Sequence, residues 1–436
     1  MDQQRKNNKQ LCEIVKIFKG HFEEESIKRG LFGIEYRADL RANELKAELI
    51  QEEIQEYNRG YEGSVRRCPK CGKSQKYRGD RSKTVKFECG EFKIQRAYYY
   101  CEYCNTSSVP LDSKLGIVEG KEQGKLREKL CLIGVLVPYH QGPEACRTLL
   151  GQEEFASSLR RIVLKESERY SEEEKGLLKS EQEQSTEDDT VYLEVDGHMC
   201  PTRDVRKGTS DQGYREAKVV MGFKDTAIAN VSKGRNEILN LILKGQIAPA
   251  STFTNMVKDV YEQINARDAG RVVFLADGAK WIWNIANEIA PEAIQILDYS
   301  HAKSYLWKAA DIIFGKDSDL RGPWIKKQKN LLFEDNVSEV IIGLKEHLKN
   351  CPSLQEVITY IENNQTRMLY GKYRSQGLMI GSGAIESAGK RIAQGRIKGA
   401  GMRWNVPDLN VFLKLRCSFI DRSWKNFWNT QYAIAA

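Results

Sequence analysis

In Val191-Tyr192-Leu193-Glu194-Val195-Asp196-Gly197, apolar and polar residues alternate, which puts Val191, Leu193 and Val195 on one face of a β-strand and Tyr192, Glu194 and Asp196 on the other. Arg271-Val272-Val273-Phe274-Leu275-Ala276-Asp277-Gly278 is an apolar run suited to a strand buried on both faces, and it too ends in Asp-Gly. A third carboxylate, Glu386, follows the turn Gly381-Ser382-Gly383 and opens a helix. Three acids gathered on one scaffold can hold two hard divalent cations, which take oxygen ligands and activate a water or a hydroxyl against a phosphodiester. The expected cofactor is Mg2+ or Mn2+, two ions per site, bound by Asp196, Asp277 and Glu386. A single Asp-Gly after a strand is more often a turn than a site, because both residues favour turns. Glu194 shares a face with Asp196, but two residues along a strand span about 7 Å, so it is expected beside the metals and not on them.

A second group of residues points to a different metal. Cys68-Pro69-Lys70-Cys71 and Cys101-Glu102-Tyr103-Cys104 flank a strand-rich segment, 84–100, as the two pairs of a zinc ribbon do. Thiolates suit structural Zn2+, and a module with little core of its own is held together by the ion, so Cys68, Cys71, Cys101 and Cys104 are its expected ligands. Cys89, between the pairs, reads as a strand residue. From Arg66 to Arg96 there are eleven Lys or Arg residues against three acids, interleaved with Tyr77 and Phe87. Such a ribbon is a candidate DNA surface, with a protein-docking module as the other reading.

These groups need elements to carry them. Residues 1–60 read as a helical arm, with Leu45, Leu49 and Ile54 as candidate buried positions, and 61–115 as the zinc ribbon. Residues 116–188 are helical, with a break after Leu150 that suggests a helix-turn-helix whose second helix offers Arg160 and Arg161 to DNA; an ordinary helical hairpin reads as well. An acidic stretch closes that region. From 189 to 303 the expected order is βββαβαβ: the Asp196 strand, Arg215 to Phe223 and Thr226 to Val231 as a hairpin, a helix at 253–266, the Asp277 strand, a helix at 281–288 and a strand at 293–297. That order is that of an α/β, ribonuclease-H-like core, in which the first and fourth strands are neighbours and Asp196 and Asp277 lie side by side. Residues 304–375 form an all-helical insertion with Trp307, Trp324, Leu331, Leu344 and Ile361 available for burial, and 376–436 return to the core with Glu386 and basic helices. Lys390, four residues past Glu386, shares its helical face and could meet a phosphate, as could Arg391, Arg396, Lys398 and Arg403 beyond it.

The chain of 436 residues carries 68 Lys and Arg against 60 Asp and Glu, a net charge of +8 that suits a polyanionic partner. Its longest apolar stretch, around Leu130 to Val137, is too short to span a bilayer, so no membrane partner is expected. With no basic n-region and apolar run at the start, the expectation is a cytoplasmic protein, at the nucleoid when bound to DNA. Eleven cysteines with four in metal-type pairs fit a reducing compartment.

From about Arg67 to Trp428 the sequence resembles the Kra-type bacterial insertion-sequence transposases, within the mutator-like set of D-D-E enzymes. The resemblance lies in Arg96-Ala97-Tyr98-Tyr99-Tyr100-Cys101, Val195-Asp196-Gly197, Ala276-Asp277-Gly278-Ala279-Lys280-Trp281-Ile282-Trp283-Asn284, Asp298-Tyr299-Ser300-His301-Ala302, Gly381-Ser382-Gly383-Ala384-Ile385-Glu386 and Gly401-Met402-Arg403-Trp404. It implies that Asp196, Asp277 and Glu386 are the catalytic triad and that Asp298 and His301 form an accessory acid-x-x-His motif. It also implies a transposase acting on double-stranded DNA, both the element's terminal inverted repeats and the target, as a homodimer or larger assembly on the DNA. Two departures stand out: His198 and Met199 follow the first Asp-Gly, where smaller residues are commoner, and the first sixty residues match less clearly. A non-catalytic zinc-containing DNA-binding regulator and a structure-specific nuclease are the alternative functions.

Overall fold

Alternating polar and apolar residues between the two cysteine pairs produce a long twisted hairpin. Val65–Arg67 (β1), Ser74–Phe87 (β2), Gly90–Cys101 (β3) and Thr106–Ser108 (β4) form an antiparallel sheet in that order. Between the pairs Tyr77↔Tyr99 and Asp80↔Ala97, β2 carries one extra residue, and Gly79 absorbs this bulge with φ +94°. Val85 and Ile94 of the hairpin bury against Leu111 of a short helix, Pro110–Lys114, and Ile54 of the helix Gly30–Glu56 packs on the same cluster. Leu45 and Leu49, expected to be buried, are 37% and 52% exposed, because only Ile54 among these three meets the small core.

The computed structural model describes residues 30–179, 184–203, 213–232, 235–394 and 396–433. Contacts divide the chain into two units: residues 1–130, 146–153 and 433–436, which hold the ribbon, and residues 131–145 and 154–432. Residues 116–188, expected to form one helical region, are thus shared between the two. Residues 1–29 of the expected helical arm lie outside the described residues. Among the described residues no helix is long and apolar enough to cross a membrane.

The second unit is a mixed α/β structure built on a five-stranded sheet. Its strands are Thr190–Pro201 (β5), Tyr214–Lys224 (β6), Ile242–Gln246 (β9), Arg271–Ala276 (β10) and Ile294–Leu297 (β11), in the order β11-β10-β5-β6-β9. β10 pairs parallel with both β5 and β11, whereas β6 runs antiparallel to β5 and β9. The third strand of the sheet is therefore not the expected one. The pattern of Thr226 to Val231 predicts a hairpin partner for β6, but Ile228–Ser232 (β7) pairs with Arg235–Ile238 (β8) in a separate ribbon. β7 is mostly exposed and cannot cover a core, while Ile242 and Leu243 of β9 are buried.

Helices cover both faces of the sheet. On one, Val260 of the helix Ala250–Gln263 approaches β6 so closely that a Cβ on Gly222 would lie 2.7 Å from it, beside Leu193. On the other lies the helix Gly383–Gly389, which carries Glu386. The insertion consists of the helices Tyr299–Phe314, Arg321–Phe333, Val337–His347, Leu354–Asn364 and Tyr370–Ser375. Leu344 and Ile361 are buried in it as expected; Trp307 is 39% exposed.

Candidate active site

β5 is buried from Thr190 to Val195 and opens at Asp196, which is half-buried. β10 does the same, buried from Val273 to Ala276 and half-open at Asp277. Because Val195 pairs with Ala276 in a parallel register, Asp277, just past the end of β10, lies beside Asp196, midway along β5. Each acid is steadied locally: Asp196 Oδ1 accepts from Gly197 N–H at 2.7 Å, and Asp277 Oδ1 accepts from Ala279 N–H at 2.8 Å. Burial, and after it the charge of Asp196, raises the Asp277 carboxyl above its ordinary range. His198 Nε2 lies 3.5 Å from Asp196 Oδ2, and the ring fills the space over Gly389, where a Cβ would come within 1.7 Å of it. The larger residue after the first Asp-Gly is thus matched by a glycine on the opposing helix.

Glu386 is more than a hundred residues from Asp277 in sequence, so its placement needs fixed points. Tyr192 and Glu194 of β5 and Asp298, just past β11, supply them, each accepting a backbone N–H from the segment 379–385. Tyr192 Oη accepts from Met379 at 3.1 Å, Asp298 Oδ1 from Ser382 at 2.7 Å, and Glu194 Oε2 from Ile385 at 2.8 Å. Tyr299 N–H also donates to Ile380 O at 2.9 Å. Glu194 is fully buried, and burial pushes its carboxyl up to about 8. Its role, and that of Tyr192, was not read from the sequence as a helix tether, although a glutamate within the otherwise buried run Val191 to Val195 was the available signal.

Asp298 caps the helix Tyr299–Phe314. Its buried Oδ2 accepts from His301 N at 2.7 Å and lies 2.8 Å from His301 Nδ1. Burial alone would raise the Asp298 carboxyl, but the hydrogen bonds from His301 and Ser382 outweigh it and hold it below the usual range. The ionised carboxylate can only accept, so Nδ1 carries the proton and Nε2 is the ring nitrogen left for other contacts. The same bond raises His301 above its ordinary value, with the charges of Asp277 and Asp196 adding to it. Ligand atoms of Asp298, His301 and Glu386 all lie within 4.8 Å of one another, a group that could hold a metal ion. The sequence groups Glu386 with the two aspartates; among the described residues, the group whose ligand atoms come within 4.8 Å of one another sets Glu386 with the acid-x-x-His pair and contains neither Asp196 nor Asp277.

In the other unit the Cys68 and Cys104 sulfurs are 3.6 Å apart, as are those of Cys71 and Cys101, and all four lie within 4.8 Å. The backbone N–H of Cys71 holds the Cys68 thiol below its ordinary value. Cys89 stays outside this group.

The basic residues divide. Lys390, Arg391, Lys398 and Arg403 are exposed. Arg396, expected on a DNA surface, is 2% exposed, and its guanidinium lies 4.8 to 4.9 Å from the ring centres of Tyr139, Trp404 and Phe412. It packs the core and is not offered to DNA. Arg160 is exposed but bound to Asp408 Oδ2 through Nε at 3.1 Å and Nη2 at 2.7 Å. Arg161 is half-buried on the same helix, Ala156–Lys179, which buries Leu159, Ile162, Val163 and Tyr170.

No family model matches the chain, and no curated protein matches it. Among solved structures it is similar to the Drosophila P element transposase strand transfer complex, at 10% identity over 74% of this chain and 85% of that one, with a TM-score of 0.23. A likeness that slight shows neither family nor fold.

Proposed function

We propose that this chain is a D-D-E transposase, of the Kra type its motifs resemble, that cuts DNA at the ends of an element and joins them to a target. One observation carries the proposal: Asp196 and Asp277 stand side by side on adjacent parallel strands, and the segment leading into the helix that bears Glu386 is held by Tyr192, Asp298 and Glu194. The strand order, with the Asp196 strand central and three antiparallel strands followed by two parallel ones, supports a ribonuclease-H-like core. The donor set fits hard divalent cations: burial first, and the neighbouring charge of Asp196 after it, act against ionisation of Asp277, and a bound cation would offset both. Mg2+ or Mn2+ held there would lower the pKa of water, or of a DNA 3′-hydroxyl, and stabilise the leaving oxygen. His301, its ring set by Asp298, would donate from Nε2 to the scissile or a flanking phosphate. Lys390, Arg391, Lys398 and Arg403 would meet phosphates beyond it. The four sulfurs of the ribbon fit one tetrahedral Zn2+ in a structural role.

Labelled DNA carrying the sequences that flank the coding region tests this directly. Incubated with the protein and Mg2+, it should be nicked at the element boundary, and a chelator should stop the reaction. Tight end binding without a nick would favour the regulator; cutting set by DNA structure, without joining, would favour the nuclease.

A further inference from the structure

The helix Gly30–Glu56 carries more apolar surface than the ribbon covers. Each of its 27 residues is exposed or half-buried. A helix in water is held mainly by the packing of one face, so a helix this long with its apolar residues open calls for a cover. At about 100° per residue, Leu31, Ile34, Ala38, Ala42, Leu45 and Leu49 fall on one stripe, spaced by three and four, and all six are exposed. Leu31 is 82% exposed and Ile34 44%. The ribbon holds a different face, on which Asn43, Ala47, Ile50 and Ile54 are half-buried. Ile54 packs there on the cluster of Val85, Ile94 and Leu111, and Lys46 Nζ lies 3.5 Å from Glu88 Oε2 in the turn between β2 and β3.

We propose that this stripe is covered by the same helix of a second copy of the chain, running antiparallel, in a dimer that forms without DNA. Charge selects both the partner and the direction. Beside the stripe, on the edge away from Lys46, the sequence runs from Arg37 and Arg41 to Glu48 and Glu52. An edge that is basic at one end and acidic at the other is complementary to itself when reversed, as a two-fold contact requires. With the two helices centred on each other, Arg41 faces the partner's Glu48 and Arg37 the partner's Glu52, and each pair occurs twice. The same register sets Ala42 against the partner's Leu45 and Ala38 against the partner's Leu49, so small residues receive large ones. A parallel pair would set leucine on leucine and alanine on alanine, and would bring this edge against the one that Lys46 and the hairpin occupy. Within one chain Arg41 bonds Glu44 Oε2 at 2.8 Å, an exposed contact that costs little to exchange. The dimer needs only these helices and holds whatever reaction the other unit performs.

The test is sedimentation equilibrium of the full chain, supplied with Zn2+ and free of DNA, across the micromolar range, with melting temperatures for each variant. The wild type is expected to dimerise with rising concentration. Leu45→Glu combined with Leu49→Glu alters two exposed positions and should weaken the dimer at least about a hundredfold, since four apolar side chains leave the interface. Arg41→Glu or Glu48→Arg alone sets like charges in both symmetric pairs and should weaken it at least about tenfold, whereas the two together restore opposite charges and the wild-type affinity. A wild type that stays monomeric throughout, or a dimer untouched by the two leucine changes, overturns the proposal. A double charge variant that binds no tighter than either single one overturns the antiparallel register. If the leucine variant melts several degrees early, the stripe packs within its own chain, and the proposal falls as well.

Discussion

Asp277 stands where a buried strand opens to solvent, and burial together with the neighbouring charge of Asp196 acts against its ionisation. A side chain in that position gains from a bound cation, and its loss removes a ligand without disturbing the strand that carries it. Asp196→Ala, Asp277→Ala and Glu386→Gln are each expected to bring cleavage and joining below detection while DNA-end binding persists, as gel shift and product assays on the same preparations would show. Near-normal cutting by any one of them would remove that residue from the site. Calcium should support binding without chemistry, since it accepts more ligands in looser geometry than in-line transfer tolerates. His301 is a separate matter, because the bond from Asp298 that orients its ring also caps a helix. His301→Ala should slow cleavage by about tenfold, close to 1.4 kcal/mol of transition-state stabilisation, with the melting temperature nearly unchanged. An early-melting variant whose folded fraction cuts normally would make His301 structural.

Between Asp277 and Glu386 lie the helices from Tyr299 to Ser375, so the helix that carries Glu386 is located by the side chains that hold the segment before it. Glu194→Leu leaves the Ile385 N–H without its acceptor in a buried place, at a cost of about 1–3 kcal/mol, and should lower both stability and cleavage; Glu194→Gln keeps an oxygen there and should lose less. Equal losses in the two variants would mean that charge, and not the hydrogen bond, holds the helix. The raised carboxyl of Glu194 fixes a pH dependence as well. An unfolded glutamate ionises near its ordinary 4.5 while the folded one keeps its proton to about 8. The contribution to stability is therefore full below 4.5 and falls as pH rises through about 8, with the folded state binding the extra proton. Chemical denaturation in chelator at several pH values should show this decline in the wild type and a shallower one in Glu194→Gln; equal slopes would contradict it. In the ribbon, chelating zinc or replacing Cys68 with Ser should unfold the region around residues 66–104 and leave the triad's metal binding intact. The strands that carry Asp196 and Asp277 were legible because each has a periodicity or an apolar run long enough to specify burial. The third strand was not: β9 has only five residues, and the polar ribbon before it reads equally well as a strand. Arg396 was illegible for another reason, since Tyr139, one of the rings that enclose its guanidinium, lies far away in sequence.

Taken whole, the chain carries an excess of 8 positive charges, with exposed cations just past Glu386 and eleven Lys or Arg residues along the ribbon segment. Cations that meet phosphates release counterions, and a protein making six to ten such contacts loses about 10³–10⁵ in affinity between 50 and 200 mM salt. DNA binding should fall that steeply; a flat dependence would give the basic surface to a protein partner. The central claim concerns chemistry, however, and joining is the step that separates a transposase from both a regulator and a nuclease. The most direct measurement supplies the full chain with a pre-cut element end bearing a free 3′-hydroxyl, a supercoiled target plasmid and Mg2+, and follows covalent end-to-plasmid product for the wild type and Asp277→Asn. The expected result is a joined product that needs Mg2+ and the 3′-hydroxyl and is absent with Asp277→Asn. No joined product from a preparation that binds the end, or equal product from Asp277→Asn, would contradict it.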